Sequence, residues 1–163
     1  YEKVLTYDVS TLEPQLSCPQ GVDNVYPISE VLGTPMDEVY IGSCTNGSLE
    51  DLKAAADILR GKKVANHVRV IVVPATNTVF KEAIEKGYIK DFIEAGCVIS
   101  HPCCGLCCGM PYGLMYDDER ILLTANRNFI GRQGTKKTLG YLSSPAVAAA
   151  TALTGVVTDP RTL

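Results

Sequence analysis

Five of the seven cysteines in this 163-residue chain lie in two short segments. "GSCTNGS" (42–48) carries Cys44, and "HPCCGLCCG" (101–109) carries Cys103, Cys104, Cys107 and Cys108. A third segment, "NRNFIGR" (126–132), holds Arg127 and Arg132 around a glycine-containing turn. Thiolates bind metals of borderline or soft character. A Cys-x-x-Cys pair with one remote cysteine supplies three ligands, whereas structural zinc generally takes four, commonly as two separated pairs. Three thiolates on a [4Fe-4S] cluster leave one iron open, and an open iron can polarise a hydroxyl or carboxylate oxygen as a Lewis acid. A planar guanidinium fork beside it matches a carboxylate in two-point fashion. The combination suits removal of water from a small hydroxy-dicarboxylate. A zinc or redox module built from Cys103, Cys104, Cys107 and Cys108 alone is the alternative from another class.

The elements that would position these residues can be read from the pattern. "EVYIG" (38–42) reads as a short buried strand and "VRVIVVP" (68–74) as a second, dense in β-branched residues. "CVIS" (97–100) and "RILLTA" (120–125) read as the third and fourth. Between them, 48–61 reads as a helix with Ser48 and Asp51 resembling a capping box. Leu49, Leu52, Ala56 and Leu59 share one face of it. Residues 77–87, capped by Asn77, and 88–96 read as two more helices. A last helix over 144–155 has Ser144 as N-cap, Pro145 at its first position and Gly155 past its end. Residues 1–37 read as a lead-in with few regular elements, and 38–163 as the domain proper.

Strands alternating with helices predict an α/β fold: three layers, a mainly parallel sheet and helices on both faces. Near-continuous apolar strands agree, because such sheets are buried on both sides. Ligand sites in these sheets form beyond the carboxyl ends of the strands. The segments 42–48, 101–109 and 126–132 each follow a predicted strand directly, so all three are expected at one edge of the sheet, with the site there.

Composition narrows the class. The chain is 46% hydrophobic and 20% charged, which fits a globular domain with a real core. Its net charge of −3 argues against a broad basic face for nucleic acid. No apolar run is long enough to span a membrane, and no leader is visible at the start. The cysteines are odd in number and clustered, unlike a secreted disulfide framework, so reduced thiols in the cytoplasm are expected.

Together, "YIGSCTNG", "CGLCCG", "NRNFIGR" and "LSSPAVAAATALTG" resemble, in order and spacing, the cluster-bearing domain of the aconitase superfamily. The likeness runs over roughly residues 20–160 and points to the large subunit of 3-isopropylmalate dehydratase and its homoaconitase-like relatives. It implies a [4Fe-4S] cluster held by Cys44, Cys104 and Cys107, with Asn126, Arg127 and Arg132 facing the substrate. It also implies a hydro-lyase of leucine biosynthesis, with a swivelling small subunit and an N-terminal part of the large subunit as partners. The isolated domain is then expected to be inactive. Where the family usually reads C-G-P-C, this chain has Leu106, with Cys103 and Cys108 flanking the pair. Cys103 with Cys107 is an open alternative on spacing alone. After Arg132 the chain reads Gln-Gly-Thr, where isopropylmalate enzymes often read Met-Gly. A 2-methylmalate or 2,3-dimethylmalate dehydratase is the rival reading of the substrate.

Overall fold

A computed structural model describes residues 1–110 and 112–163. Seven strands form one sheet: β1 (Gln15–Ser17), β2 (Val25–Pro27), β3 (Glu38–Gly42), β4 (Arg69–Val73), β5 (Val98–Ile99), β6 (Arg120–Leu123) and β7 (Leu139–Leu142). Their order is β2-β1-β7-β6-β3-β4-β5. The run from β7 to β5 is parallel throughout, and β1 lies antiparallel to both β7 and β2. From β3 the chain steps outward through β4 to β5, then returns to place β6 and β7 on the opposite side of β3. The strand order therefore reverses between β3 and β6. In open α/β sheets such a reversal opens a crevice beyond the carboxyl ends of its two strands.

Alternation along the strands divides the core in two. Val39, Ile41, Val70, Val72 and Leu122 face α3 (Leu49–Leu59), α4 (Asn77–Glu85), α5 (Tyr88–Ala95) and α6 (Pro145–Thr154) in one cluster. Tyr40, Ile71, Val73, Ile121 and Leu123 face the other way, against Leu106, Cys107, Met115 and Ala125. The fold is thus a three-layer α/β fold. Its third layer is thin and is built by the cysteine segment, whose helical piece is the 3-10 turn Gly105–Cys108.

The local signals explain most boundaries. The Ser48 hydroxyl accepts from the Asp51 amide, and the Asp51 carboxylate accepts from the Ser48 amide, which completes the capping box with Asp in place of Glu. Ser144 caps α6 by accepting from the Val147 amide. Helix α4 begins one residue earlier than expected. Thr76, extended at φ −144°, is its cap and accepts from the Val79 amide at 3.2 Å, so Asn77 is already helical. Strand β7 is unexpected, because "LGYL" contains no β-branched residue and a glycine in its middle. The stretch 1–37 holds β1, β2 and α1 (Ile28–Val31), and its Leu16, Ile28 and Met36 are buried in the same cluster as α3 and α6.

Candidate cluster site at the sheet reversal

The last residue of β3 is under tight constraint. Gly42 has φ +113°, and a Cβ there would overlap the Val73 carbonyl oxygen on β4. Its amide donates to the Thr124 hydroxyl at 2.7 Å, just past the end of β6. Asn46 donates its side-chain amide to the Thr124 carbonyl. The "SCTN" turn, α2 (Ser43–Asn46), is thereby stitched across the reversal to the end of β6. Cys44 stands exposed on this turn, its Sγ 3.7 Å from Thr45 Oγ1.

The cysteine segment lies on the thin-layer face and is anchored from below. Tyr40, fully buried on β3, donates its hydroxyl to the Cys104 carbonyl at 3.1 Å. A Cβ at Gly105, where φ is +49°, would come within 2.9 Å of that hydroxyl, so only glycine seats the turn on the tyrosine. Burial first, and the neighbouring thiols second, push the Tyr40 hydroxyl well above its usual range, so it remains a donor. Tyr40 was legible in the sequence only as a strand residue, although an aromatic with a polar tip in a buried strand is a signal for a hydrogen-bond partner. Tyr40→Phe should cost about 1 kcal/mol of stability and loosen residues 103–108. Denaturant melts and amide exchange of that segment would measure both, and unchanged exchange there would refute the anchoring role.

The five cysteines separate by direction. Cys108, then Cys44 and Cys107, lie close enough to raise the Cys104 thiol above its usual range, Cys108 acting through both charge and a hydrogen bond. Cys104 thus has thiols of two segments in its surroundings, Cys108 and Cys107 of its own and Cys44 some 60 residues earlier (44 to 104). Cys107 is buried in the 3-10 turn, while Cys104 at its start is exposed. Cys103 turns toward Ser100, its Sγ 3.8 Å from Ser100 Oγ. It lines a pocket of about 170 Å³ with Cys104, Gly105, Met110 and Tyr112. Cys97 is buried, which pushes its thiol up to about 12, and burial also raises Cys18. Both are inert thiols of the core.

The arginine segment meets the same place unequally. Arg132 donates Nε to the Cys107 carbonyl at 2.6 Å. Arg127 and Asn126 are exposed, and the Arg127 guanidinium donates to the Asn126 carbonyl at 2.9 Å. Gln133, buried, donates to the Arg127 carbonyl at 2.8 Å. Asn128, also buried, donates to the carbonyls of Cys18 (2.7 Å) and Gly140 (3.2 Å) and ties the segment to the lead-in and to β7. His101, which precedes the cysteines, is exposed and packs edge-on to Phe80 with ring centroids 6.1 Å apart.

Whether these residues suit an iron–sulfur cluster can be asked of the geometry. Among the described residues, no three Cys, His, Asp or Glu side chains close on a single metal-ion position. Among the described residues, the Ser43 hydroxyl is one of three buried side-chain polar groups with an atom lacking a hydrogen-bond partner, and it adjoins Cys44. Leaving such a group unpaired costs about 1–3 kcal/mol. The chemistry of the thiol set fits the group, since soft thiolates are the usual ligands of iron–sulfur clusters.

The sheet is parallel from β7 to β5, and cysteines of two segments and Arg132 lie near its strand-order reversal. The chain belongs to the aconitase family: residues 30–155 match the family described as "Aconitase family (aconitate hydratase)". It is similar to the 3-isopropylmalate dehydratase large subunit 1 of Archaeoglobus fulgidus, 54% identical over 154 residues, covering 94% of this chain and 37% of the relative. It is also similar to the 3-isopropylmalate dehydratase large subunits of Geobacter metallireducens (52% over 161 residues, 99% and 38%) and Nitratidesulfovibrio vulgaris (49% over 163 residues, 100% and 39%). The chain thus spans less than two fifths of the length of these relatives. Among the described residues, no helix is long and apolar enough to cross a membrane.

Proposed function

We propose that this chain is the cluster-bearing domain, with 38–163 as its catalytic core, of the large subunit of a cytoplasmic [4Fe-4S] hydro-lyase acting on 3-isopropylmalate. The observation that supports the reading is that Cys44, on the turn after β3, lies near Cys104 of the cysteine segment, with Arg132 bonded to the backbone of Cys107. The names of the relatives support the substrate. When bound, the cluster supplies a Lewis-acidic iron for the substrate hydroxyl and carboxylate.

In this reading Cys44, Cys104 and Cys107 are the ligands, since Cys103 is turned toward Ser100. Among the described residues Arg132 uses its Nε on the Cys107 carbonyl, and the other edge of its guanidinium suits a substrate carboxylate. Arg127 and Asn126, exposed beside it, present a second anchor. The chain needs partners to complete the site: the remainder of the large subunit, and a small subunit that supplies further substrate contacts. Met110, Leu114, Tyr116, Phe129 and Ile130 are all about half exposed or more, on the two segments that flank the cysteines and Arg132. Apolar exposure of this kind marks a surface made for contact, and the remainder of the large subunit is its proposed occupant.

The test is anaerobic reconstitution of the full-length large subunit with iron and sulfide, followed by Mössbauer spectroscopy. Activity with the small subunit is then measured on 3-isopropylmalate, 2-methylmalate and 2,3-dimethylmalate. One iron distinct from three others, with turnover of 3-isopropylmalate, is expected. Tight zinc uptake in place of iron would move the reading to a metal module, and turnover of only another malate would reassign the substrate.

A further inference from the structure

Residues 126–133 belong to no helix or strand, yet they carry both arginines. Without a ladder, such a loop keeps its shape through the few bonds that close it. Its inner turn is closed by the Arg132 amide, which donates to the Phe129 carbonyl at 3.0 Å. Its two ends are joined by one side chain. Gln133, 2% exposed, donates Nε2 to the Arg127 carbonyl at 2.8 Å, six residues back. Gln133 is itself fixed from two sides. Its carbonyl accepts from the Met115 amide at 3.0 Å, and a Cβ at Gly140 on β7 would stand 3.0 Å from its Oε1. Burying an amide costs free energy unless it is bonded. Here the bond ties the residue next to Arg132 to the backbone of Arg127.

We propose that Gln133 is a positioning residue for substrate binding: its amide clasps the loop and sets where Arg127 stands relative to Arg132. The inference rests on the reading of both arginines as substrate anchors. Arg132 is held separately, through its Nε on the Cys107 carbonyl. The Arg127 guanidinium is folded back on the Asn126 carbonyl at 2.9 Å, so its place follows the backbone that Gln133 holds. Two anchors serve one small acid only when their separation is fixed before it arrives, because charge-assisted bonds depend on geometry and reordering a loop costs affinity. Gln133 reaches the substrate through Arg127 and does not touch it.

The test uses the full-length large subunit, reconstituted anaerobically with iron and sulfide and combined with the small subunit, as wild type, Gln133→Met, Arg127→Ala and the double variant. Methionine keeps the volume and removes the donor, so Gln133→Met should load as much iron as wild type. Its KM for 3-isopropylmalate should rise about tenfold, the worth of one well-aligned charge-assisted bond. Its kcat should stay within about twofold, as expected when binding and not chemistry is lost. Amide exchange of residues 126–132 should quicken. In the Arg127→Ala background the same change should add nothing to KM, because its effect passes through Arg127. Gly140→Ala, which crowds the Gln133 amide and leaves it in place, should raise KM in the same direction by less, and it replaces Gln133→Met should that variant not fold. An active wild type with KM unchanged in the folded variant, or with effects that simply add in the double variant, would overturn the proposal. So would an Arg127→Ala protein with an unaltered KM, and the proposed function would survive all three results. A wild type without iron uptake or turnover would bring down that function and this inference together.

Discussion

Cys44→Ser in the full-length large subunit is expected to abolish the four-iron cluster and, with it, dehydration of the hydroxy acid. The thiol supplies one of only three proposed anchors, and it is the only one outside the cysteine segment. Changes to groups that merely orient metal ligands cost about 10–100-fold, so loss of an anchor should exceed that range. Cys108→Ser is the matched comparison. Cys108 lies beside Cys104, with its Sγ 3.7 Å from the Gly105 carbonyl, and it is left outside the proposed ligand set. Iron content and Mössbauer spectra of the two variants therefore separate the readings. The three-ligand site requires Cys44 and spares Cys108. A module confined to 103–108 requires Cys108 and spares Cys44, and that outcome would defeat the proposed function.

The second large effect is a pH dependence at the opposite end of β3. Glu38 is fully buried in the sheet, and among the described residues its Oε1 has no hydrogen-bond partner. Its Oε2 accepts from Arg69 Nε at 2.8 Å, and Arg69 also reaches Glu119 at 3.2 Å and Met115 Sδ at 3.4 Å. Burial pushes the Glu38 carboxyl up to about 7, the nearby Arg69 opposes this only in part, and Glu119 adds to it. Arg69 and Glu119 shift the favourable way, Arg69 upward chiefly through Glu119 and then Glu38, Glu119 downward chiefly through Arg69. The arginine thus gains from both carboxylates, while the buried one loses more to desolvation than the pair returns.

The sign follows. The folded chain holds the Glu38 proton up to about pH 7, whereas the unfolded chain releases it near 4.5. Between those values the folded state binds more protons, so rising pH lowers the free energy of unfolding. The full change is on the order of 3 kcal/mol. Glu38→Gln should remove that slope. Its stability relative to wild type should improve as pH rises from 4.5 to 8, read from urea melts at each pH. Parallel profiles for the two proteins would show that Glu38 does not titrate in this window. The network also pins the segment after the cysteines, since Met115 and Glu119 both contact Arg69 and a Cβ at Gly113 would overlap the Glu38 carboxylate.

The order of strands and helices, the capping box at Ser48 and Asp51, and the Ser144–Pro145 start of α6 were all legible in the residues. Each depends on groups within a turn or two of one another, so local sequence carries the information. The placing of segments 42–48, 101–109 and 126–132 after strands was legible for the same reason, and with a parallel sheet it sufficed to predict that they meet. Other features were decided only when the chain closed. Strand β7 exists because β6 offers it an edge, since "LGYL" by itself has little preference for extended structure. Leu16, Ile28 and Met36 look like lead-in residues until β1 pairs with β7 and α1 falls against the core. The sorting of adjacent, chemically identical thiols is the clearest case. How the segment that carries Cys103, Cys104, Cys107 and Cys108 is seated is set by Tyr40 under the Cys104 carbonyl, by the positive φ at Gly105 and by Arg132 on the Cys107 carbonyl. Those partners lie 25 to 64 residues away in the chain, and spacing within a six-residue window cannot encode them. Residue types and their order thus determined the kind of chemistry, whereas the direction each thiol points came from long-range contacts that exist only in the folded sheet.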